Sequence, residues 1–94
     1  MNVIALRTLR DFWRKHNQAE KNLRVWNKKM RAGQYNSVQE VQANFSDAEY
    51  VDGLMIFNIG GNKYRLVVAM DFARQRCYIK YVFTHPEYDS WSKA

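Results

Sequence analysis

The residues best suited to acid–base chemistry lie near the C-terminus, in residues 84–89 (THPEYD). Pro86 is typical of the first turn of a helix, and helical residues three and four positions apart are neighbours. His85 is therefore predicted to face Tyr88 and Asp89. An imidazole exchanges protons near neutral pH, a tyrosine hydroxyl can donate or relay a proton, and a carboxylate can orient the imidazole. The alternative is that His85 only caps the helix and Tyr88 only packs on a sheet.

A second candidate site is a basic surface on a predicted β-sheet. Successive side chains of a strand point to opposite faces, so residues 63–70 and 76–83 each divide into two alternating sets. The polar sets are predicted to meet on one side of the sheet, with Lys63, Arg65, Arg76, Tyr78 and Lys80. The apolar set of the last strand, predicted to face the core, is Cys77, Ile79, Tyr81 and Phe83. Basic groups beside an aromatic ring suit RNA phosphates and a stacked base, although an ordinary solvated sheet face has the same pattern.

Helices are predicted in the first half of the chain. Apolar residues recur at helical spacing in residues 8–16 and 19–31, with basic residues outside the apolar stripe. Ser37 and Glu40 have the spacing of a capping box, which predicts a short third helix. A short strand through Val3 is predicted to precede these helices.

Strands are predicted in the second half, after turn-like stretches at residues 46–49 and 52–53. Three runs rich in Val, Ile, Tyr and Phe, joined by a hairpin loop at 60–62 and a turn at 72–75, are typical of strands at 54–59, 63–70 and 76–83. The predicted fold is a single α+β domain over residues 1–94. It has a short N-terminal strand, two to three helices, a three-stranded antiparallel meander and a short C-terminal helix.

Charge is the most informative bulk property. The 94 residues carry 15 Lys and Arg against 9 Asp and Glu, for a net charge of +6. Residues 1–34 hold a net +7, residues 35–53 a net −4 and residues 54–94 a net +3. A strong positive balance favours a polyanionic partner such as RNA.

Other classes of protein and site are disfavoured. The 47% hydrophobic content excludes a disordered chain, and no apolar run reaches the ~18 residues of a membrane span. The N-terminal residues lack a secretory signal, so we expect a soluble cytoplasmic protein.

Cys77 is the only cysteine and is expected in the core, and with two histidines a conventional zinc site is not expected. Residues 60–63 (GGNK) lack the spacing of a P-loop, and no serine suggests an acyl hydrolase.

Several segments together resemble the HigB family of type II toxins. They are residues 9–13 (LRDFW), 57–66 (FNIGGNKYRL), 78–80 (YIK) and 84–89 (THPEYD). The resemblance implies a RelE-like α+β fold and an endoribonuclease that cleaves messenger RNA, typically on translating ribosomes. It also implies a HigA-type helix-turn-helix antitoxin, which neutralises the toxin and through which the pair would bind operator DNA.

When the functional residues of the family are carried over by position, the resemblance implies that Arg65, His85 and Tyr88 are catalytic. It also implies that Lys63 and Lys80 contact RNA. The implied chemistry needs no cofactor and no metal. The ribose 2′-hydroxyl attacks the neighbouring phosphorus, Arg65 stabilises the phosphate oxygens, and His85 and Tyr88 transfer protons. Either of these two residues could be the base.

Two other functions remain open at this stage. One is a module that binds messenger or ribosomal RNA without cutting it, and the other is a protein-interaction domain whose basic helices dock on an acidic partner. The basic helices could also contact ribosomal RNA or be covered by an antitoxin.

Overall fold

A five-stranded mixed sheet organises residues 1–93, which are the residues that this computed structural model describes. The strands are β1 (Asn2–Ile4), β2 (Glu49–Val51), β3 (Leu54–Ile59), β4 (Tyr64–Asp71) and β5 (Arg76–Thr84). Their order across the sheet is β1-β5-β4-β3-β2, and β1 runs parallel to β5 while the other neighbours are antiparallel. The predicted meander corresponds to β3, β4 and β5.

The helices lie mostly before the meander, as the apolar spacing predicts. They are α1 (Leu6–Lys15), α2 (Glu20–Ala32), α3 (Val38–Asn44) and α4 (His85–Ser92), and a 3-10 turn at Asn17–Ala19 joins α1 to α2. Ser37 caps α3 by accepting a hydrogen bond from the Glu40 backbone N–H at 3.2 Å, which is one of the two bonds of the predicted capping box. The Glu40 carboxylate accepts from the Ser37 hydroxyl at 3.5 Å. None of the helices in residues 1–93 is both long and apolar enough to cross a membrane.

The main core fills the space between the sheet and helices α1 and α2, on what we call the inner face of the sheet. The helices contribute buried Leu9, Trp13, Leu23, Trp26 and Met30. The sheet contributes Met55, Phe57, Leu66, Val68 and Cys77. Burying a large apolar side chain stabilises the fold by about 1.5–3 kcal/mol, so this layer anchors β3, β4 and β5.

Helix α4 lies on the opposite face, which we call the outer face. Beneath it Ile56 and Val67, which are opposite each other on β3 and β4, are 4% and 0% exposed. Trp91 of α4 lies 5.5 Å from both the Tyr81 and the Phe83 rings, measured between centroids. Aromatic packing therefore holds α4 against the sheet.

The predicted orientation of the second half of β5 is wrong, because a β-bulge interrupts its alternation. Val67 is opposite Tyr81 and the next residue, Val68, is opposite Ile79, so Lys80 is an extra residue in β5. Residues opposite each other share a face of the sheet, and a one-residue shift reverses every later side chain. Tyr81 and Phe83 consequently lie on the outer face instead of in the core. Lys80 itself is exposed.

The prediction that strands begin only after the turns at 46–49 and 52–53 is wrong, because Glu49–Val51 forms strand β2 between them. Asp52 and Gly53 connect β2 to β3 with φ angles of 51° and 82°. Positive φ at both loop residues is typical of a tight two-residue hairpin, for which Asp-Gly is a preferred sequence. The Asp-Gly pair is thus the tip of a hairpin at the edge of the sheet.

Candidate active site

Arg65 lies on the outer face, where two oxygen atoms and an aromatic ring hold its guanidinium. Its Nη1 donates to the Tyr64 carbonyl oxygen at 3.1 Å, and its Nη2 donates to Asn62 Oδ1 at 2.5 Å. The Arg65 Cζ atom is 5.7 Å from the centroid of the Tyr88 ring, within the range of a cation–π contact. A guanidinium has five N–H donors, so donors remain for phosphate oxygens.

His85 is the first residue of α4, and Asp89 orients its imidazole from one helical turn further on. His85 Nδ1 is 3.1 Å from Asp89 Oδ2, with the two side chains 37% and 48% exposed. The predicted contact between these residues is confirmed. It occupies Nδ1 and leaves Nε2 as the nitrogen available to a substrate.

Thr84, not His85, caps the helix that carries the imidazole. The Thr84 backbone N–H donates to Glu87 Oε1 at 2.8 Å, and Thr84 Oγ1 accepts from the Glu87 backbone N–H at 3.4 Å. The hydrogen bond from the Thr84 backbone lowers the pKa of Glu87 below its usual value. This reciprocal pair is a capping box, and Pro86 lies in the first turn as predicted. The alternative in which His85 serves only as the cap is therefore wrong.

The hairpin loop before β4 meets the start of α4. Gly60 and Gly61 have φ angles of 64° and 69°, a region that glycine enters without the cost a side chain would add. The Lys63 carbonyl oxygen accepts a hydrogen bond from the His85 backbone N–H at 2.9 Å. Lys63 lies in the loop, not in the strand where it was predicted, and its Nζ is 3.3 Å from Gln18 Oε1.

Arg76 and Tyr78 lie at the other end of the sheet from Arg65. Arg65 is opposite Phe83, whereas Arg76 is opposite Asp71, six residues further along β4 and so about 20 Å away. The Arg76 Nη1 donates to the Tyr78 hydroxyl at 3.4 Å, and this contact raises the pKa of Arg76. The predicted polar surface therefore divides into Lys63 and Arg65 at one end of the β4–β5 ladder and Arg76 and Tyr78 at the other. Lys80 lies at the bulge between them.

Two further titratable residues, His16 and Cys77, pack against apolar or aromatic groups. The His16 ring lies 4.4 Å from the Phe12 ring and 6.1 Å from the Tyr64 ring, measured between centroids, and His16 lines a crevice together with Glu87 of α4. Cys77 is buried, as predicted, and burial raises the pKa of its thiol to about 12. Within residues 1–93, no three His, Cys, Asp or Glu side chains are grouped so that they could hold a metal ion.

The arrangement brings three kinds of chemical group to one corner of the molecule. Arg65 supplies a permanent positive charge with planar donors that match phosphate oxygens. His85, oriented by Asp89, and Tyr88 supply groups that can accept or donate protons. A phosphodiester bound at Arg65 would lie next to the Tyr88 ring, and His85 begins the helix that carries this ring.

Comparison with known proteins shows the family to which the chain belongs. The family model described as HigB_toxin, the RelE-like toxic component of a toxin-antitoxin system, matches residues 19–91. The chain belongs to the HigB family. The mRNA interferase toxin HigB of Escherichia coli K12 is 33% identical over 92 residues, which are 95% of this chain and 88% of the relative. The mRNA interferases HigB of Escherichia coli O157:H7 and Shigella flexneri match with the same identity and coverage.

The family identified from the sequence is thus confirmed, and the α+β architecture agrees with a RelE-like fold. The span matched by the HigB family model contains every residue of the candidate site. Two features of this HigB-family site were not predicted. One is the hydrogen bond between Arg65 and Asn62. The two residues are three positions apart at a tight turn, and this spacing could have predicted the contact. The other is the outer-face position of Phe83, which depends on the bulge.

Proposed function

We propose that this HigB-family toxin is an endoribonuclease that cleaves messenger RNA, the activity for which its relatives are named. The observation that carries the proposal is the position of the Arg65 guanidinium, 5.7 Å from the Tyr88 ring. His85, held by Asp89, starts the same helix that carries Tyr88. These positions support a reaction in which the Arg65 cation binds the phosphate while Tyr88 and His85 transfer protons.

The proposed reaction is a transesterification. The ribose 2′-oxygen forms a bond to the adjacent phosphorus, and the bond between that phosphorus and the 5′-oxygen of the next nucleotide breaks. One proton leaves the 2′-hydroxyl and one is given to the 5′-oxygen. The products are a 2′,3′-cyclic phosphate and a free 5′-hydroxyl.

Each step has a candidate residue. Arg65 stabilises the negative charge that develops on the phosphate oxygens, a contribution of about 3–4 kcal/mol for a preorganised donor. His85 and Tyr88 remove and supply the two protons, and a positioned group of this kind contributes about 10²–10⁴-fold to the rate. Either can be the base in this scheme. No step is assigned to a metal or another cofactor.

RNA binding is proposed to extend from this corner along the sheet. Lys63 is exposed beside the start of α4 and can bind a phosphate next to the cleaved one. Lys80 is exposed on β5, and the Arg76–Tyr78 pair at the far end offers a further cation and ring. These residues would bind an extended single strand by its phosphates and one stacked base.

The family also supports a set of partners. We propose a HigA-type helix-turn-helix antitoxin, contact with operator DNA only through that antitoxin, and cleavage on the ribosome in the cytoplasm. The basic residues of α1 and α2 are available either for ribosomal RNA or for the antitoxin. The distribution of charge is compatible with both.

Induced expression in bacteria, followed by mapping of transcript ends, tests the proposal. The wild-type chain is expected to produce new 5′ ends within messenger RNAs, and Arg65→Ala to reduce their number by about 10²–10³-fold. The matched control is Arg74→Ala, which removes an exposed arginine paired with Asp71 at the far turn. Equal cleavage by wild type and Arg65→Ala, or intact messenger RNA with the wild type, would contradict the proposal. Retained RNA binding without cleavage would favour a non-catalytic RNA-binding module.

A further inference from the structure

A crevice of about 330 Å³ lies between α4 and the β2–β3 hairpin on the outer face. Tyr88 and Trp91 form one wall, and Leu54 and Ile56 contribute to the other. The polar residues among those that line it are Asp52, Ser92 and Tyr88. A largely apolar crevice with a few polar groups is the usual form of a small-ligand site.

The crevice is continuous with the candidate active site through one side chain. The Tyr88 ring lines the crevice and also contacts the Arg65 guanidinium at 5.7 Å. If Arg65 holds the phosphate that is cleaved, a base attached to that nucleotide or its neighbour can reach the crevice. This step rests on the proposed function.

The aromatic wall suits the flat face of a nucleobase. The Trp91 side chain is half-buried and its centroid is 5.9 Å from that of Tyr88. Tyr81 and Phe83 support Trp91 from below, each 5.5 Å away. A half-buried ring held by other rings is a rigid surface on which a base can stack, as is common in the recognition of single-stranded RNA.

The polar groups of the crevice favour a base over a phosphate and one class of base over another. None of the residues that line it, among residues 1–93, is Lys or Arg, and the Asp52 carboxylate would repel a phosphate. A carboxylate accepts hydrogen bonds from amino groups, which adenine, cytosine and guanine carry. Uracil presents its single ring N–H between two carbonyl oxygens, which the carboxylate repels.

We infer that this crevice binds a nucleobase bearing an exocyclic amino group, stacked on Trp91 and hydrogen-bonded to Asp52, next to the phosphodiester that the toxin cleaves. The site would give the toxin a preference against uracil at one position of its substrate. Asp52 is available for this role because the two-residue turn places it at the tip of the hairpin, beside the C-terminal half of α4.

Binding of two uncleavable oligonucleotides tests the inference. Fluorescein-labelled 2′-O-methyl hexamers of cytidine and of uridine have the same ring size and charge, and they differ in the amino group. Fluorescence anisotropy is expected to show that the wild type binds the cytidine hexamer about tenfold more tightly. Asp52→Asn is expected to abolish this ratio, because an amide can both donate and accept.

Two further variants test whether the ratio depends on Asp52 itself and whether the bases stack on Trp91. Glu49→Gln makes the same change at an exposed acid of β2 that does not line the crevice, and it is expected to keep the wild-type ratio. Trp91→Ala is expected to weaken binding of both hexamers. A cytidine-to-uridine ratio that is absent in the wild type, or unchanged in Asp52→Asn, would overturn the inference.

The assay also distinguishes the inference from the proposed function, because 2′-O-methyl RNA cannot be cleaved by attack of a 2′-hydroxyl. If the ratio depends on Asp52 but messenger RNA on translating ribosomes stays intact, the base site stands and the nuclease proposal fails. If unmodified RNA is cleaved but the ratio does not depend on Asp52, the nuclease proposal stands and the base site fails.

Discussion

Arg65 owes its orientation mainly to residues close to it in the sequence. The Asn62 side chain and the Tyr64 carbonyl oxygen accept its hydrogen bonds, and both belong to the tight turn or the strand that follows it. Only the Tyr88 contact comes from a distant segment. A guanidinium held this way loses little side-chain freedom when a phosphate binds, which favours preorganised stabilisation of charge.

The first prediction concerns Asp89, which contacts the imidazole of His85, a proposed proton-transfer group. Asp89→Asn keeps an acceptor for His85 Nδ1 but removes the charge, whereas Asp89→Ala removes both. We expect the cleavage rate at saturating RNA to fall about tenfold in the Asn variant and further in the Ala variant, with KM little changed, because proton transfer depends on imidazole orientation. Single-turnover cleavage measures this, with Asp47→Asn as a surface control. Equal rates for all four proteins would show that the contact is not used.

Residues of the site were predictable where their spacing is local. The contact of His85 with Asp89 follows from four-residue spacing on a helix, and Pro86 marked the start of that helix. The approach of Arg65 to Tyr88 was implied only by the family resemblance. No local sequence pattern indicates that Arg65 of β4 contacts Tyr88, which lies 23 positions later in α4.

At the scale of elements, α4 connects the two parts of the site. Its first residue carries the imidazole, its Tyr88 contacts Arg65, and its capping box fixes where the helix begins. The backbone hydrogen bond between Lys63 and His85 ties the same end to the hairpin loop. Anything that loosens the start of α4 should therefore disturb catalysis and stability together.

The capping box makes part of the stability depend on pH. Because the Thr84 backbone N–H holds the pKa of Glu87 below its usual value, the charged carboxylate stabilises the folded state. This stabilisation is complete above the pKa of the unfolded chain and is lost as the pH falls through the folded-state pKa. We expect the free energy of unfolding of the wild type to fall more steeply with acidification than that of Glu87→Gln. Urea denaturation from pH 7 to pH 3 measures the difference, and parallel curves would rule out the contribution.

The elements show where pattern reasoning fails. Strands β3, β4 and β5 and the helices were predicted because their apolar periods are long enough to be distinctive. The bulge at Lys80 was not predicted, since no residue type around it differs from an ordinary strand, and it moved Tyr81 and Phe83 to the outer face. Strand β2 was missed because its three residues are all exposed, which leaves no alternation to detect.

On the scale of the whole molecule, positive and negative side chains belong to different parts of the chain. Residues 1–34, which include α1 and α2, hold a net +7 and cover the inner face, while Lys63 and Arg65 lie at the corner with α4. The net −4 of residues 35–53 falls on α3 and the β2 edge. The phosphate groups of an RNA strand would therefore be drawn towards the helices and the corner and away from this edge.

Salt dependence is the whole-molecule prediction. The logarithm of the association constant for single-stranded RNA should fall linearly with the logarithm of salt concentration. Lys63→Ala should reduce the slope by about 0.7, the value for one lost contact to a single-stranded phosphate. Arg74→Ala, with its guanidinium paired to Asp71, should leave the slope unchanged. Anisotropy titrations across a range of salt concentrations decide this, and a Lys63→Ala slope equal to that of the wild type would exclude the contact.

The order of the strands across the sheet could not be predicted from sequence patterns. The pairing of β1 with β5 joins Val3 to Cys77, more than seventy residues apart. A three-residue strand carries too little pattern to identify its partner or its parallel direction. The fold class could be predicted from the order of the elements. The addition of β1 to the sheet as a parallel edge strand beside β5 could not.

The chemical nature of the RNA ends tests the central claim most directly. The purified toxin, supplied with messenger RNA on translating ribosomes, is expected to leave a 2′,3′-cyclic phosphate and a 5′-hydroxyl at each cut. A 2′-deoxy substitution at the cleaved nucleotide is expected to prevent cutting, because the attacking oxygen is then missing. Ends bearing a 3′-hydroxyl and a 5′-phosphate, or cutting that persists at the 2′-deoxy position, would contradict the account.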